Sequence, residues 1–183
     1  MSVCERVREL FDRRGDSEYG NEAVSQLQHA LQCATLAECD GAPPPLIVAA
    51  LLHDIGHLLH DLPDDAPEHG IDDHHEHSGY RFVRTHFDDD VAEPVRQHVA
   101  AKRYLVTVDP DYASTLSPPS VQSLQLQGGA MSTEEVAAFQ TSPHWTASVA
   151  LRKWDDRAKD VDMTTPNLGH FLQYVDQVAV SIL

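Results

Sequence analysis

The densest chemistry in this chain lies in the run Leu51-Leu52-His53-Asp54-Ile55-Gly56-His57. A charged carboxylate in so apolar a setting is costly to bury unless it is paired or bound to a cation. His53 and His57 are four residues apart and would share one face of a helix, with Asp54 projecting beside them. Imidazole and carboxylate together suit zinc, manganese or iron. A lone histidine in a helix is more often a hydrogen-bonded core residue, but three such groups within five positions point to a metal. Further donors are spread along the chain in a consistent order. His29 lies on or beside the apolar face formed by Leu27, Ala30 and Leu31. His74, His75 and His77 form a second histidine-rich node. His98 shares a helix face with Val91, Val95 and Lys102, and Trp154-Asp155-Asp156 supplies late acids.

The elements that must position these groups read as helices almost throughout. Ser2 and Glu5 form a capping box that opens a helix ending near Gly15. A second amphipathic run covers Glu22 to Glu38 and stops before Gly41. Pro43, Pro44 and Pro45 start a third helix, expected from Leu46 to about His60, which is apolar nearly all round and so central. A polar loop, Asp61 to Asp73, precedes helices over about His75–His86 and Asp90–Tyr104, the latter with Pro94 in its first turn. Val106 to Gly129 holds three prolines and a glycine pair and reads as a loop with short helical turns. Ser132 and Glu135 cap another helix. Ser142–Pro143 opens one through Lys159, and Thr165–Pro166 opens the last, to about Ile182. The expected class is all-α, a single domain over residues 1–183, with Trp145 and Trp154 as core residues.

Composition narrows the function. The 183 residues carry 29 Asp+Glu against 13 Lys+Arg, a formal net charge of -16, with no basic patch, so binding to nucleic acid is disfavoured. The longest apolar stretches fall far short of the ~20 residues of a membrane span. The amino terminus lacks an apolar signal region, and three cysteines form no CxxC pair, which together predict a cytoplasmic protein. No helix face demands a partner chain. Twelve histidines stand beside only three lysines, Lys102, Lys153 and Lys159.

The order His29, His53-Asp54, a central histidine, His98 and a late aspartate resembles the HD-domain superfamily, which folds around a five-helix core and binds one or two metals. Three segments are similar to its small phosphonate-degrading oxygenases: EAVSQLQHALQC from Glu22, HVAAKRYL from His98, and LQLQGG from Leu124. That resemblance implies a mixed-valent pair of iron ions (Fe2+/Fe3+) and O2-dependent cleavage of a carbon–phosphorus bond. The substrate it implies is 2-amino-1-hydroxyethylphosphonate or its N-trimethyl analogue, giving glycine or glycine betaine plus phosphate. It also implies that His29, His53 and Asp155 hold one iron, that His75 and His98 hold the other, and that Asp54 bridges the two. It selects His75 over its neighbours because the histidine follows an Asp-Asp pair and precedes a glutamate, and Asp155 over Asp156 because the acid follows an aromatic residue.

For the phosphonate group, the resemblance implies His57, Lys102, Ser120, Ser123 and Arg152. The residue types suit this. Lys102 is one turn beyond His98, His57 one turn beyond His53, and Arg152 offers a forked donor near Asp155. Tyr19 and Glu22 are implied as a gate, the tyrosine at an iron until substrate arrives and the acid meeting the amine, and an aromatic face with a carboxylate does stabilise a cationic nitrogen. The rival expectation is a metal-dependent phosphohydrolase, in which such a metal pair activates water against a phosphoester. A ligand-sensing domain without catalysis is a third class.

Overall fold

The computed structural model describes residues 1–20, 22–59 and 74–180. Ser2 and Glu5 form the expected capping box on α1 (Val3–Arg14), whose Val7 and Phe11 enter the core. The second helix begins later than its apolar pattern suggests. Ser25 and Gln28 make a capping box there, and α2 spans Gln26–Cys39. Residues 17–20 and 22–25 instead fold back on each other, with the Tyr19 amide donating to the Val24 carbonyl (3.1 Å) and the Gln26 amide to the Ser17 carbonyl (3.0 Å). Tyr19 and Glu22 therefore ride on a turn, not on the helix.

Helix α3 (Pro44–Leu52) has buried residues from Ile47 to Leu52 and is the central helix expected from its composition. It ends at Leu52, well before His60. The His53 ring takes up the Ala50 carbonyl through Nδ1 at 2.9 Å, an acceptor that the next helical amide would otherwise use. Asp54 then adopts φ -101°, ψ 11°, and Ile55–Leu58 forms a tight 3-10 turn. His53 and His57 consequently do not share a face of one helix. Gly56 makes this turn possible, because a Cβ there would lie 2.0 Å from the His75 carbonyl oxygen. The loop expected at Asp61 to Asp73, and His60 and His69, lie outside the described residues.

Helix α4 (His75–Val83) starts from His74 in the left-handed region, and α5 (Asp89–Val108) runs four residues past its expected end, with Pro94 in its second turn. The stretch read as loop is more ordered than that. A 3-10 turn at Tyr112–Thr115 leads to α6 (Pro118–Leu126), capped by the Ser117 hydroxyl with prolines in its first turn. Pro118 and Pro119 stand in the first turn, where a helix tolerates them, so the expected short helical turn extends to nine residues. Gly128 and Gly129, both at positive φ, turn the chain, and the Arg103 guanidinium donates to the Gly129 carbonyl (2.9 Å). The two segments HVAAKRYL and LQLQGG thus pack on one another.

The Ser132–Glu135 box caps α7 (Thr133–Gln140) as expected. Helix α8 (Trp145–Arg157) and α9 (Leu168–Val178) each begin two residues later than the proline signals suggest, α9 being capped by Asn167. Helix α8 also ends before Lys159, because the Ala158 carbonyl turns aside to accept from His29 Nδ1 at 2.8 Å. Helices α2, α3, α5 and α8 pack around one centre, with α9 behind α3, α1 against α9 and α4 against α5. The main core gathers residues of α1 to α5, α8 and α9, including Trp154, and a smaller one unites Tyr104, Leu105, Tyr112, Met131 and Phe139, with Trp145 half-buried against it. The described residues are helical, with a single isolated bridge between Glu18 and Ser25. No helix among them is long and apolar enough to cross a membrane.

Candidate metal centre

Six side chains from five places in the chain meet inside the four-helix centre. His29 comes from α2, His53 and Asp54 from the break after α3, His75 from the first turn of α4, His98 from α5 and Asp155 from α8. All six are buried. They divide into two groups of three, His29 with His53 and Asp155, and His75 with His98 and Asp54, and within each the donor atoms lie within 4.8 Å of one another. Asp54 stands between the groups. Its Oδ2 lies 3.2 Å from His53 Nε2 and 3.5 Å from His29 Nε2, while Oδ1 lies 3.3 Å from His98 Nε2 and 3.4 Å from His75 Nε2.

The hydrogen bonds of these rings test whether a metal fits. His29, His53 and His98 each direct Nδ1 at a backbone carbonyl, those of Ala158, Ala50 and Val95, at 2.8, 2.9 and 2.7 Å. A carbonyl only accepts, so Nδ1 carries a proton in each ring and Nε2 is left as the atom that can meet a cation. Yet His29 Nε2 and His53 Nε2 are 3.1 Å apart, as are those of His75 and His98. At that separation two Nε2 lone pairs repel unless a cation joins them, either a proton or a metal ion. Against the cost of burial, the Asp54 charge does raise His53 well above its ordinary value. Asp54 Oδ1 is buried without a hydrogen-bond donor, an arrangement that a cation likewise resolves. The donor set fits a pair of metal ions, and one shared carboxylate lowers the repulsion between two cations.

The electrostatics agree. Burial works against the Asp54 charge, but His53 and the surrounding histidines hold its carboxyl well below the usual range. Asp155 is likewise buried and depressed, with the Arg152 guanidinium as its main counterion at 2.7 Å. The pocket is thus built around two carboxylates that stay ionised. Tyr19 lies parallel to His29 at 3.7 Å between ring centres, and its hydroxyl donates to Asp155 Oδ1 (3.3 Å). Enclosure first, and Asp155 next, push that phenol far above its normal range, so it remains a neutral donor.

The geometry sets the neighbouring candidates apart. His75 points inward, whereas His74 and His77 gather with Glu76 in a separate group and are themselves exposed. Asp155 faces His29 and His53, while Asp156 pairs with the Arg152 guanidinium and the Tyr112 hydroxyl. His57 stacks on His75 at 4.0 Å. Lys102 is buried beside the centre and donates to the Ser123 hydroxyl at 2.8 Å. Burial, with the nearby Arg152 charge, lowers its ammonium to about 7. Ser120 lies one turn before Ser123 on α6 and is also buried. Arg152 differs from its expected role as an open donor. Its Nε donates to Tyr112 (3.2 Å) and its two terminal nitrogens face Asp155 and Asp156, so it orients the acids of α8.

Two residues near the site escaped the sequence reading. Lys159 sits within 3.0 Å of Glu22 Oε1, and Tyr112 supports Arg152. The scarcity of lysine, which drew attention to Lys102, applied equally to Lys159.

Residues 27–136 match the HD domain. The chain belongs to the HD domain family. This HD domain chain is 42% identical over 177 residues, covering 97% of it and 90% of the relative, to the [1-hydroxy-2-(trimethylamino)ethyl]phosphonate dioxygenase (glycine-betaine-forming) of Leisingera caerulea. It is 42% identical over 170 residues, 91% of this chain and 85% of the relative, to the hydroxymethylphosphonate dioxygenase of Gimesia maris. An uncharacterised protein of Acanthamoeba polyphaga mimivirus is 37% identical over 165 residues, covering 88% and 75%. Asp155 lies beyond the stretch matched by the HD domain, so in this family member α8 completes a donor group begun within it.

Proposed function

We propose that the protein is a di-iron oxygenase that uses O2 to cleave the carbon–phosphorus bond of a 1-hydroxyphosphonate. The substrate is 2-amino-1-hydroxyethylphosphonate or its N-trimethyl analogue, and the products are glycine or glycine betaine and phosphate. The reaction balances without a further reductant: the hydroxyphosphonate and one O2 contain every atom of the carboxylic acid and the phosphoric acid. The observation that carries this reading is the similarity to two phosphonate dioxygenases, which spans both donor groups and helices α5 and α6 beside them.

In this reading His29, His53 and Asp155 hold one iron, His75 and His98 the other, and Asp54 both. Irons bound there would supply a redox centre able to activate O2. The chain's own residues then bind and orient the substrate. Lys102, Ser120, Ser123 and His57 receive the phosphonate, with the buried ammonium supplying the positive charge that an acidic protein otherwise lacks. Arg152 contributes through its field and by fixing Asp155. Tyr19 covers His29 and Asp155 until substrate enters, and Glu22 receives its amine. The protein works in the cytoplasm on a small anion and does not bind nucleic acid; Cys4, Cys33 and Cys39 are all free thiols, as that compartment maintains.

The test is O2 uptake and phosphate release by iron-loaded protein with each hydroxyphosphonate, alongside electron paramagnetic resonance. Equal amounts of O2 consumed and phosphate released, with a mixed-valent iron signal, are expected. Protein that consumes no O2 with any 1-hydroxyphosphonate, yet hydrolyses nucleotides anaerobically, refutes the reading.

A further inference from the structure

Lys159 follows α8 at a point where the backbone is pinned from both sides by α2. The Ala158 carbonyl accepts from His29 Nδ1. One turn along α2, the Gln32 side chain donates to the Asp160 carbonyl (2.6 Å) and accepts from the Asp160 amide (3.0 Å). The lysine so held turns inward, with only 13% of its side chain exposed. Its ammonium lies 3.0 Å from Glu22 Oε1, 2.8 Å from the Ser120 hydroxyl, 3.2 Å from that of Ser117 and 6.0 Å from the centre of the Tyr19 ring. Ser117 also donates to Glu22.

This is the surrounding that a substrate ammonium would seek: the Glu22 carboxylate, the Ser117 hydroxyl and an aromatic face, with Ser120 between it and the phosphonate residues. One of the protein's few cations already occupies it. We propose that Lys159 is a resident ammonium that holds the amine subsite in the absence of substrate, so that a cationic substrate binds by displacing it from Glu22. The inference rests on the functional reading above, because it assigns that site's selectivity. Lys159 neutralises Glu22 when the pocket is empty, so an acidic protein does not present an unpaired partly buried carboxylate there. It also sets a threshold. A phosphonate bearing a positive nitrogen recovers the Glu22 attraction, whereas one without it leaves the pair in place. The alternative role, a direct grip on the phosphonate through Ser120, would treat cationic and uncharged substrates alike.

The test compares two unreactive probes, 2-aminoethylphosphonate and ethylphosphonate, by calorimetric titration of the iron-loaded protein without O2. In Lys159→Gln the ratio of the affinity for the cationic probe to that for the uncharged one is expected to rise about fivefold over the starting protein, the scale of one partly exposed ion pair. Lys159→Arg, which keeps the charge, is expected to leave the ratio within about twofold. A ratio unchanged or lowered in Lys159→Gln overturns the proposal, and equal loss for both probes assigns Lys159 to the phosphonate instead. If Lys159→Gln does not fold, Glu22→Gln provides the second arm, since removing the carboxylate must erase any preference for the cationic probe. Turnover of 1-hydroxyphosphonates separates the two levels: an active enzyme with an unchanged ratio sinks the lysine's role alone, and an inactive one that binds neither probe sinks both.

Discussion

Gly56→Ala is a one-carbon change whose effect follows from distances. The added Cβ would stand 2.0 Å from the His75 carbonyl oxygen and 2.7 Å from its carbonyl carbon, both backbone atoms that no rotamer change can move. Ordinary contact begins near 3.4 Å, so the 3-10 turn and the start of α4 must part by about 1.4 Å. Overpacking of this kind costs about 1–3 kcal/mol. For a chain of this size that is a fall of roughly 2–12 °C in the melting temperature of the metal-free protein. The displacement is also directional. It moves His75 away from Asp54 and leaves His29, His53 and Asp155, which sit on other elements, where they are. Metal content by inductively coupled plasma mass spectrometry is therefore expected to fall from about two ions per chain to about one. A variant that keeps both ions and the parent melting temperature would refute the close approach and the argument built on it.

Three further outcomes follow from the same geometry. Asp54→Ala removes the one carboxylate common to both donor groups and leaves four imidazoles facing each other, so neither ion should be retained and O2 uptake should vanish; full metal content in the purified variant contradicts this. Arg152→Ala leaves Asp155 buried without its counterion and should cost about 3–5 kcal/mol, read as a large drop in urea midpoint, with Arg152→Lys recovering part of it. The Lys102 ammonium lies at about 7, so it is cationic below that pH and neutral above it. Phosphonate affinity should weaken as pH rises through 7, and Lys102→Arg should move that limb to higher pH. An identical pH profile in the arginine variant argues against Lys102 as the titrating group.

The donors were legible in the sequence because their types are rare in apolar surroundings and their order is distinctive. His53 and Asp54 stand out from residue type alone, whereas His29 by itself reads as a structural histidine and gains weight only from the order of the donors. The break after α3 was not legible, because the apolar pattern of residues 46–58 continues smoothly through it. Only the side chain of His53, competing for the Ala50 carbonyl, and the contact at Gly56 end the helix. The choice between Asp155 and Asp156 depends on which face of α8 meets α2, which the local pattern does not carry. The Lys159–Glu22 pair was invisible for a related reason: the residues are far apart in sequence, and the lysine reaches the acid only because α8 stops short to serve His29.

Helix α5 is about 30 Å long, and its two ends belong to different hydrophobic assemblies. Val91, Ala92 and Val95 lie in the main core, Ala101, Tyr104 and Leu105 in the smaller one, and His98 and Lys102 fall near the seam. The bar therefore joins a foundation that fixes the donor groups to an annexe, the 3-10 turn at Tyr112 and α7, packed on its far end. Cooperative units of this kind open separately. Substitutions in the annexe can shift Lys102 while the foundation keeps its donors in register. Within one architecture, selectivity is free to drift at one end of a helix while the chemistry at the other stays put.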